Sequence, residues 1–149
     1  MRVSVIGGGV IDEATAATAR EVGRELGERG HTVVCGGLGG VMEAVCEGAD
    51  EVGGDTIGIV PGPDREAASK YVDTAIATDM GNARNVLVVL NGDATIAIDG
   101  STGTLSEIGH ALDFGRPVAG IDTHDIAGIE AVESAAAAVD HVESARSGR

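Results

Sequence analysis

Two polar clusters in this sequence have the residue types of a binding or catalytic site. The first reads Asp99-Gly100-Ser101-Thr102-Gly103-Thr104-Leu105-Ser106-Glu107. Its glycines let a ligand approach the backbone, its hydroxyls donate hydrogen bonds, and a helix-like segment follows directly. Free N–H groups and the positive end of a helix dipole form an anion cradle, most often for phosphate. Gly100, Ser101, Thr102, Gly103 and Thr104 are therefore candidate phosphate contacts. The second cluster reads Met80-Gly81-Asn82-Ala83-Arg84-Asn85, ahead of an apolar run over 86–90. Arg84 stands where a helix begins, and a helix start disfavours a cation. Either a ligand anion or a surface salt bridge accounts for it.

Glu107 also has two readings. Thr104 and Glu107 have the Thr-x-x-Glu spacing of a capping box, in which the glutamate only returns a hydrogen bond to the helix start. Electrostatics argues otherwise. At ~6 Å and an effective dielectric of ~20, a carboxylate beside a bound phosphate costs about 3 kcal/mol before screening. Such a group makes chemical sense if it acts on an uncharged part of the ligand, such as a sugar.

The elements that position these clusters alternate between two kinds. Apolar, β-branched runs predict strands over 3–6, 32–35, 56–60, 94–98 and 117–121, with shorter ones over 73–78 and 129–132. Helical periodicity predicts helices over 12–29, 40–52, 83–90 and 105–114. Ala19, Val22 and Leu26 fall on one face of the first, and Leu105, Ile108 and Leu112 on the inward face of the fourth. Ser134 is placed to cap a last helix to about 145. Residues 61–70 read as a polar loop, 64–72 as a cover over the site, and 144–149 as a frayed end. The pattern predicts one α/β domain over 1–149, with a Rossmann-like, doubly wound parallel sheet and helices on both faces. Ligands bind such sheets at the carboxyl ends of strands. Glycines sit at three of those ends, which makes Gly8, Gly36 and Gly37 candidate contacts, or simply tight turns. The first loop lacks the third glycine of a dinucleotide fingerprint, and the second strand ends on Cys35 rather than an acid.

Composition narrows the function classes. A chain of 149 residues buries roughly 68–70% of its unfolded surface, enough for one core. No apolar run approaches the ~18–20 residues of a membrane span, and the start has no signal-peptide layout. A cytoplasmic protein is expected. Acids outnumber bases 24 to 10, a net charge of −14, spread along the chain. Such a surface repels nucleic acid and anionic lipid, and it suits concentrated salt, as in a halophile. Cys35 and Cys46 imply no oxidising compartment, and the four histidines are scattered without metal spacing. Tyr71 and Phe114 are the only aromatic residues. Alanine-rich helices bury little area each, so a helix-mediated homodimer or higher homo-oligomer is expected.

The residues resemble the Lonely Guy (LOG) family, often mislabelled as lysine decarboxylases. Residues 100–107 are similar to its PGGxGTxxE motif, and Gly36-Gly37-Leu38-Gly39-Gly40-Val41-Met42 to its GGxxGxM segment. Residues 53–61 resemble GGxVIGVxP, and residues 80–85 the Met-x-x-Arg-Lys segment with one extra residue. The resemblance implies a dimer that hydrolyses nucleoside 5′-monophosphates, AMP-like, to free base and ribose 5-phosphate, with no metal or cofactor. It places the catalytic pair on Arg84 and Glu107 and the phosphate loop on Gly100–Thr104. Met42 and Gly37 would lie near the base, and Asn85 is a candidate phosphate or nucleotide contact. Asp99 stands for the motif's proline, Ser101 for its second glycine, and Asn85 for its lysine. Cys35 and Glu43 replace further glycines. These departures resemble a short branch that includes molybdenum-cofactor carrier proteins, which hold a phosphorylated ligand without turning it over. Decarboxylation would need a lysine to hold pyridoxal phosphate, and the single lysine, Lys70, lies in a polar loop.

Overall fold

Short runs rich in apolar and β-branched residues form seven strands: β1 (Arg2–Gly7), β2 (Thr32–Cys35), β3 (Thr56–Val60), β4 (Thr74–Ala77), β5 (Ala94–Ile98), β6 (Val118–Ile121) and β7 (Ile129–Ala131). The computed structural model describes residues 1–147. Its strands make one parallel sheet in the order β4-β3-β2-β1-β5-β6-β7. β1 and β5 pair from Val3 opposite Ala94 to Gly7 opposite Ile98. The chain winds outward in opposite directions from that pair. The loops leaving the two strands therefore diverge, and a crevice opens at their carboxyl ends.

Helices α1 (Glu13–Glu28), α2 (Val41–Glu51) and α5 (Ala135–Ser147) cover one face, packing on Val3 and Val5. Helices α3 (Asn85–Leu90) and α4 (Thr102–Asp113) cover the other, packing on Ile6 and Val34. Asp12 caps α1 by accepting the Thr15 N–H at 2.8 Å. Small residues bring α1 and α2 together closely: a Cβ at Gly23 would lie 2.0 Å from the Val45 carbonyl oxygen, and one at Gly48 would lie 1.9 Å from that of Arg20. The doubly covered parallel sheet and the buried face of α1 are as the sequence predicts.

Helix α4 differs in start and facing. It begins at Thr102, with Ser101 at the cap position, so Thr104 already lies inside it. The capping box therefore does not form. Leu105 is 43% exposed, while Thr104, Glu107, Ile108 and Ala111 face inward. The apolar residues alone put the stripe off-centre, because half of the buried face is polar. A 3-10 turn, Gly81–Arg84, precedes α3, and another, Arg65–Ala67, interrupts the predicted loop. Ser144 to Ser147 complete the last turn of α5, and residues 148–149 of the expected frayed end lie outside the described residues. Among the described residues, no helix is long and apolar enough to cross a membrane.

Candidate functional site

The crevice holds a cavity of about 230 Å³ bounded by the ends of β1 and β2, the turn before α3 and the first two turns of α4. Arg84 lines it while only 6% exposed. Its Nε donates to the Ile59 carbonyl at 2.8 Å and its Nη2 to the Gly36 carbonyl at 3.3 Å. Nη1 donates to the side-chain oxygen of Asn85. Among the described residues no carboxylate forms an ion pair with Arg84, so the surface salt bridge is excluded. Burial pushes its pKa below the ordinary arginine value, against the opposing charge of Glu107. A cation held by neutral acceptors keeps its charge available to the cavity.

Glu107 lines the same cavity and is 8% exposed. Among the described residues nothing within hydrogen-bond distance partners its carboxylate. Burial pushes its carboxyl up to about 7, and the Arg84 charge pulls the other way. One helical turn before it, Thr104 points to the same space. The start of α4 has no side-chain cap, which leaves its first-turn N–H groups free for an anion. Asp99 (φ 54°) and Gly100 (φ 124°) turn the chain sharply into this start, and a Cβ at Gly100 would lie 2.5 Å from Thr104. His124 Nε2 donates to the Ser101 carbonyl at 3.0 Å and steadies the loop from the β6 side.

Of the residues singled out in the sequence, Gly36, Met42, Arg84, Asn85, Ser101, Gly103, Thr104 and Glu107 line this cavity. Gly8, Gly37, Gly100 and Thr102 do not. Gly8 gives its carbonyl to the Val41 N–H at 3.0 Å, which fixes the start of α2. Gly37 packs against Val60 and Gly58 and accepts the Ser69 N–H at 2.8 Å. Thr102 is exposed as the first residue of α4. None of residues 64–72 lines the cavity, so the predicted cover is not over it. Sequence reasoning missed Val5, Ile6, Gly7, Gly9, Leu38 and Asn82 as lining residues. Gly7, Gly9, Leu38 and Asn82 stand in or beside the motifs already noted; nothing in the pattern marks Val5 or Ile6. A Cβ at Gly36 would lie 2.6 Å from Met42 Sδ and 2.8 Å from Arg84 Nη2, so a side chain there would displace the tips of both. Behind it, Cys35 and Cys46 are free thiols with sulfurs 3.5 Å apart. Among the described residues no cluster of His, Cys, Asp or Glu has the makings of a metal site.

Residues 1–147 match the SLOG cluster4 family. An uncharacterized protein of Archaeoglobus fulgidus is 46% identical over 121 residues, 81% of this chain and 80% of that protein. A cytokinin riboside 5′-monophosphate phosphoribohydrolase of Mycobacterium tuberculosis is 38% identical over 111 residues, 72% of this chain but 57% of the enzyme. Among solved structures, a molybdenum cofactor binding protein of Rippkaea orientalis superposes with a TM-score of 0.91 at 30% identity, covering 97% of this chain and 96% of that one.

Proposed function

The chain belongs to the SLOG cluster4 family, and from that premise we propose that it is a nucleoside 5′-monophosphate phosphoribohydrolase. It would hydrolyse the N-glycosidic bond of an AMP-like nucleotide to free base and ribose 5-phosphate. The observation that carries this reading is one cavity bounded by a buried arginine, a buried and unpaired carboxylate, and an uncapped helix start. The first-turn N–H groups of α4, with Ser101 and Thr104, would hold the 5′-phosphate. Breaking the bond to the base leaves positive charge on the ribose, as in glycoside hydrolysis generally. Glu107, ionised, would stabilise that charge and take a proton from the attacking water, whose oxygen bonds to C1′. The electron pair of the broken bond leaves with the base. Arg84 would stabilise it there; a guanidinium is a poor proton donor, and the base takes its proton from solvent. Met42 would lie beside the base. No step calls for a metal or cofactor.

Glu107→Gln tests the mechanism. The variant is expected to bind AMP and release no adenine; release at the parental rate would count against it. A second reading, a carrier for a phosphorylated cofactor of the molybdopterin kind, draws on the near full-length likeness to the Rippkaea orientalis protein. In it, the cavity holds its cargo unchanged. Incubation with AMP in high salt separates the two, because only the hydrolase yields ribose 5-phosphate.

The same reading includes a cytoplasmic, halophilic protein working as a homodimer or higher homo-oligomer. Its net charge of −14 supports the salt preference. Leu90 on α3 and Leu105 on α4, 44% and 43% exposed, offer apolar contact for assembly. Sedimentation in high salt reads the mass directly.

A further inference from the structure

Asn85 is a candidate ligand contact in the sequence, but both ends of its amide are already engaged within the protein. Its oxygen accepts from Arg84 Nη1. Its Nδ2 donates to Ser106 Oγ at 3.4 Å, and Ser106 Oγ donates to the Gly103 carbonyl at 2.8 Å. A continuous path of hydrogen bonds thus runs from the guanidinium on one wall of the cavity to the first turn of α4 on the other. The Nε and Nη2 groups of Arg84 rest on backbone carbonyls of residues 59 and 36, so Asn85 is the one side chain among these acceptors.

The chemistry of the position is restrictive. An amide presents an acceptor and a donor on the two arms of one rigid plane, and this path uses both. A carboxylate could accept from Arg84, but it could not donate to Ser106 while Ser106 donates to Gly103. A lysine, as in the motif that this segment resembles, would set a second cation against the first. At 7% exposure, Asn85 also has little freedom to turn elsewhere.

We propose that Asn85 is a positioning residue: through Ser106 it ties the Arg84 guanidinium to the anion-facing start of α4 and fixes their spacing across the cavity. What that spacing serves rests on the hydrolase reading. The link itself is a property of the folded chain.

The test compares Asn85→Ala, Ser106→Ala and the double variant with the parental protein. Two measurements are made: side-chain NMR of the Arg84 guanidinium, and steady-state release of ribose 5-phosphate from AMP. Slow rotation of the Arg84 Nη groups is expected in the parent and faster rotation in both single variants. Turnover is expected to fall about tenfold or more in Asn85→Ala, less in Ser106→Ala, and no further in the double variant, with KM within about threefold. If Asn85→Ala fails to fold, the Arg84 rotation in Ser106→Ala decides the link by itself. Unchanged Arg84 rotation in Ser106→Ala overturns the link. A rise in KM that outweighs the loss of turnover in Asn85→Ala overturns positioning in favour of direct ligand contact. Should the parent release no ribose 5-phosphate, the hydrolase reading falls, and the NMR comparison still decides the link.

Discussion

Where α1 meets α2, glycines bring two backbones together and nothing polar is buried between the side chains; where α3 and α4 meet the sheet, an arginine, an asparagine, a threonine and a glutamate are buried around a cavity. The first region uses its small residues for close packing. The second gives up packing to hold charge away from water, where burial shifts the acidity of both charged groups. Both faces carry an apolar core, but the close helix contact lies on one and the buried polar groups of the cavity on the other. Substitutions on the two faces should have different signatures.

The largest effect is expected on the packing face. Gly48→Ala drives a methyl into the Arg20 carbonyl and should destabilise the fold by about 4 kcal/mol, while the folded fraction keeps its turnover. Denaturant unfolding paired with an activity assay checks both halves. Loss of turnover without loss of stability would break the division between the faces.

Glu107→Gln should reveal a pH dependence instead. The native state keeps the Glu107 proton up to about 7, whereas the unfolded chain releases it near the ordinary value of 4.5. Between those values the unfolded state binds fewer protons, so this group's contribution to stability falls as pH rises, and it is flat outside that window. The variant lacks this loss. Its stability relative to the parent should therefore gain about 3 kcal/mol from below pH 4.5 to above pH 7, read from unfolding curves at fixed salt. The same titration predicts that kcat/KM of the parent rises with pH to a plateau above about 7.

Arg84→Met removes three hydrogen bonds and strands two carbonyls and an amide oxygen, a loss of about 2 kcal/mol. It also removes the charge that holds Glu107 down, so the Glu107 midpoint should move above its parental value in a carboxyl NMR titration. The smallest effect belongs to the surface. Arg29 pairs with Glu25, Asp140 and Glu143 at 2.7–3.2 Å, but these groups are partly or well exposed. Arg29→Ala should cost about 1 kcal/mol or less, and less still in high salt, whereas salt should raise the stability of parent and variant alike.

The contrast also explains what could be read from the sequence. The strands were legible because a sheet covered on both faces asks for unbroken apolar runs, and residues 94–98 are buried throughout. The inward face of α1 was legible because its stripe is apolar. On α4 the same logic points to Leu105, because an apolar stripe leaves out Thr104 and Glu107, which are half of the buried face. Arg84 and Glu107 could be singled out by type and by resemblance, but their shared cavity depends on where the loops leaving β1 and β5 carry the chain. Glycines showed the limit most clearly. Gly36 and Gly37 are neighbours of one type, yet the first faces the cavity and the second props up β3. A residue without a side chain carries no pattern to tell those tasks apart.

Gly9 and Gly36 both border the cavity, yet a randomised library should treat them as opposites. At Gly9 a methyl meets no atom within 4 Å, so many amino acids can be sampled there and the rim of the opening reshaped. At Gly36 a methyl strikes the methionine sulfur and the guanidinium together. Selection can remodel the entrance of this crevice freely, while each change at its floor also moves the arginine beside it.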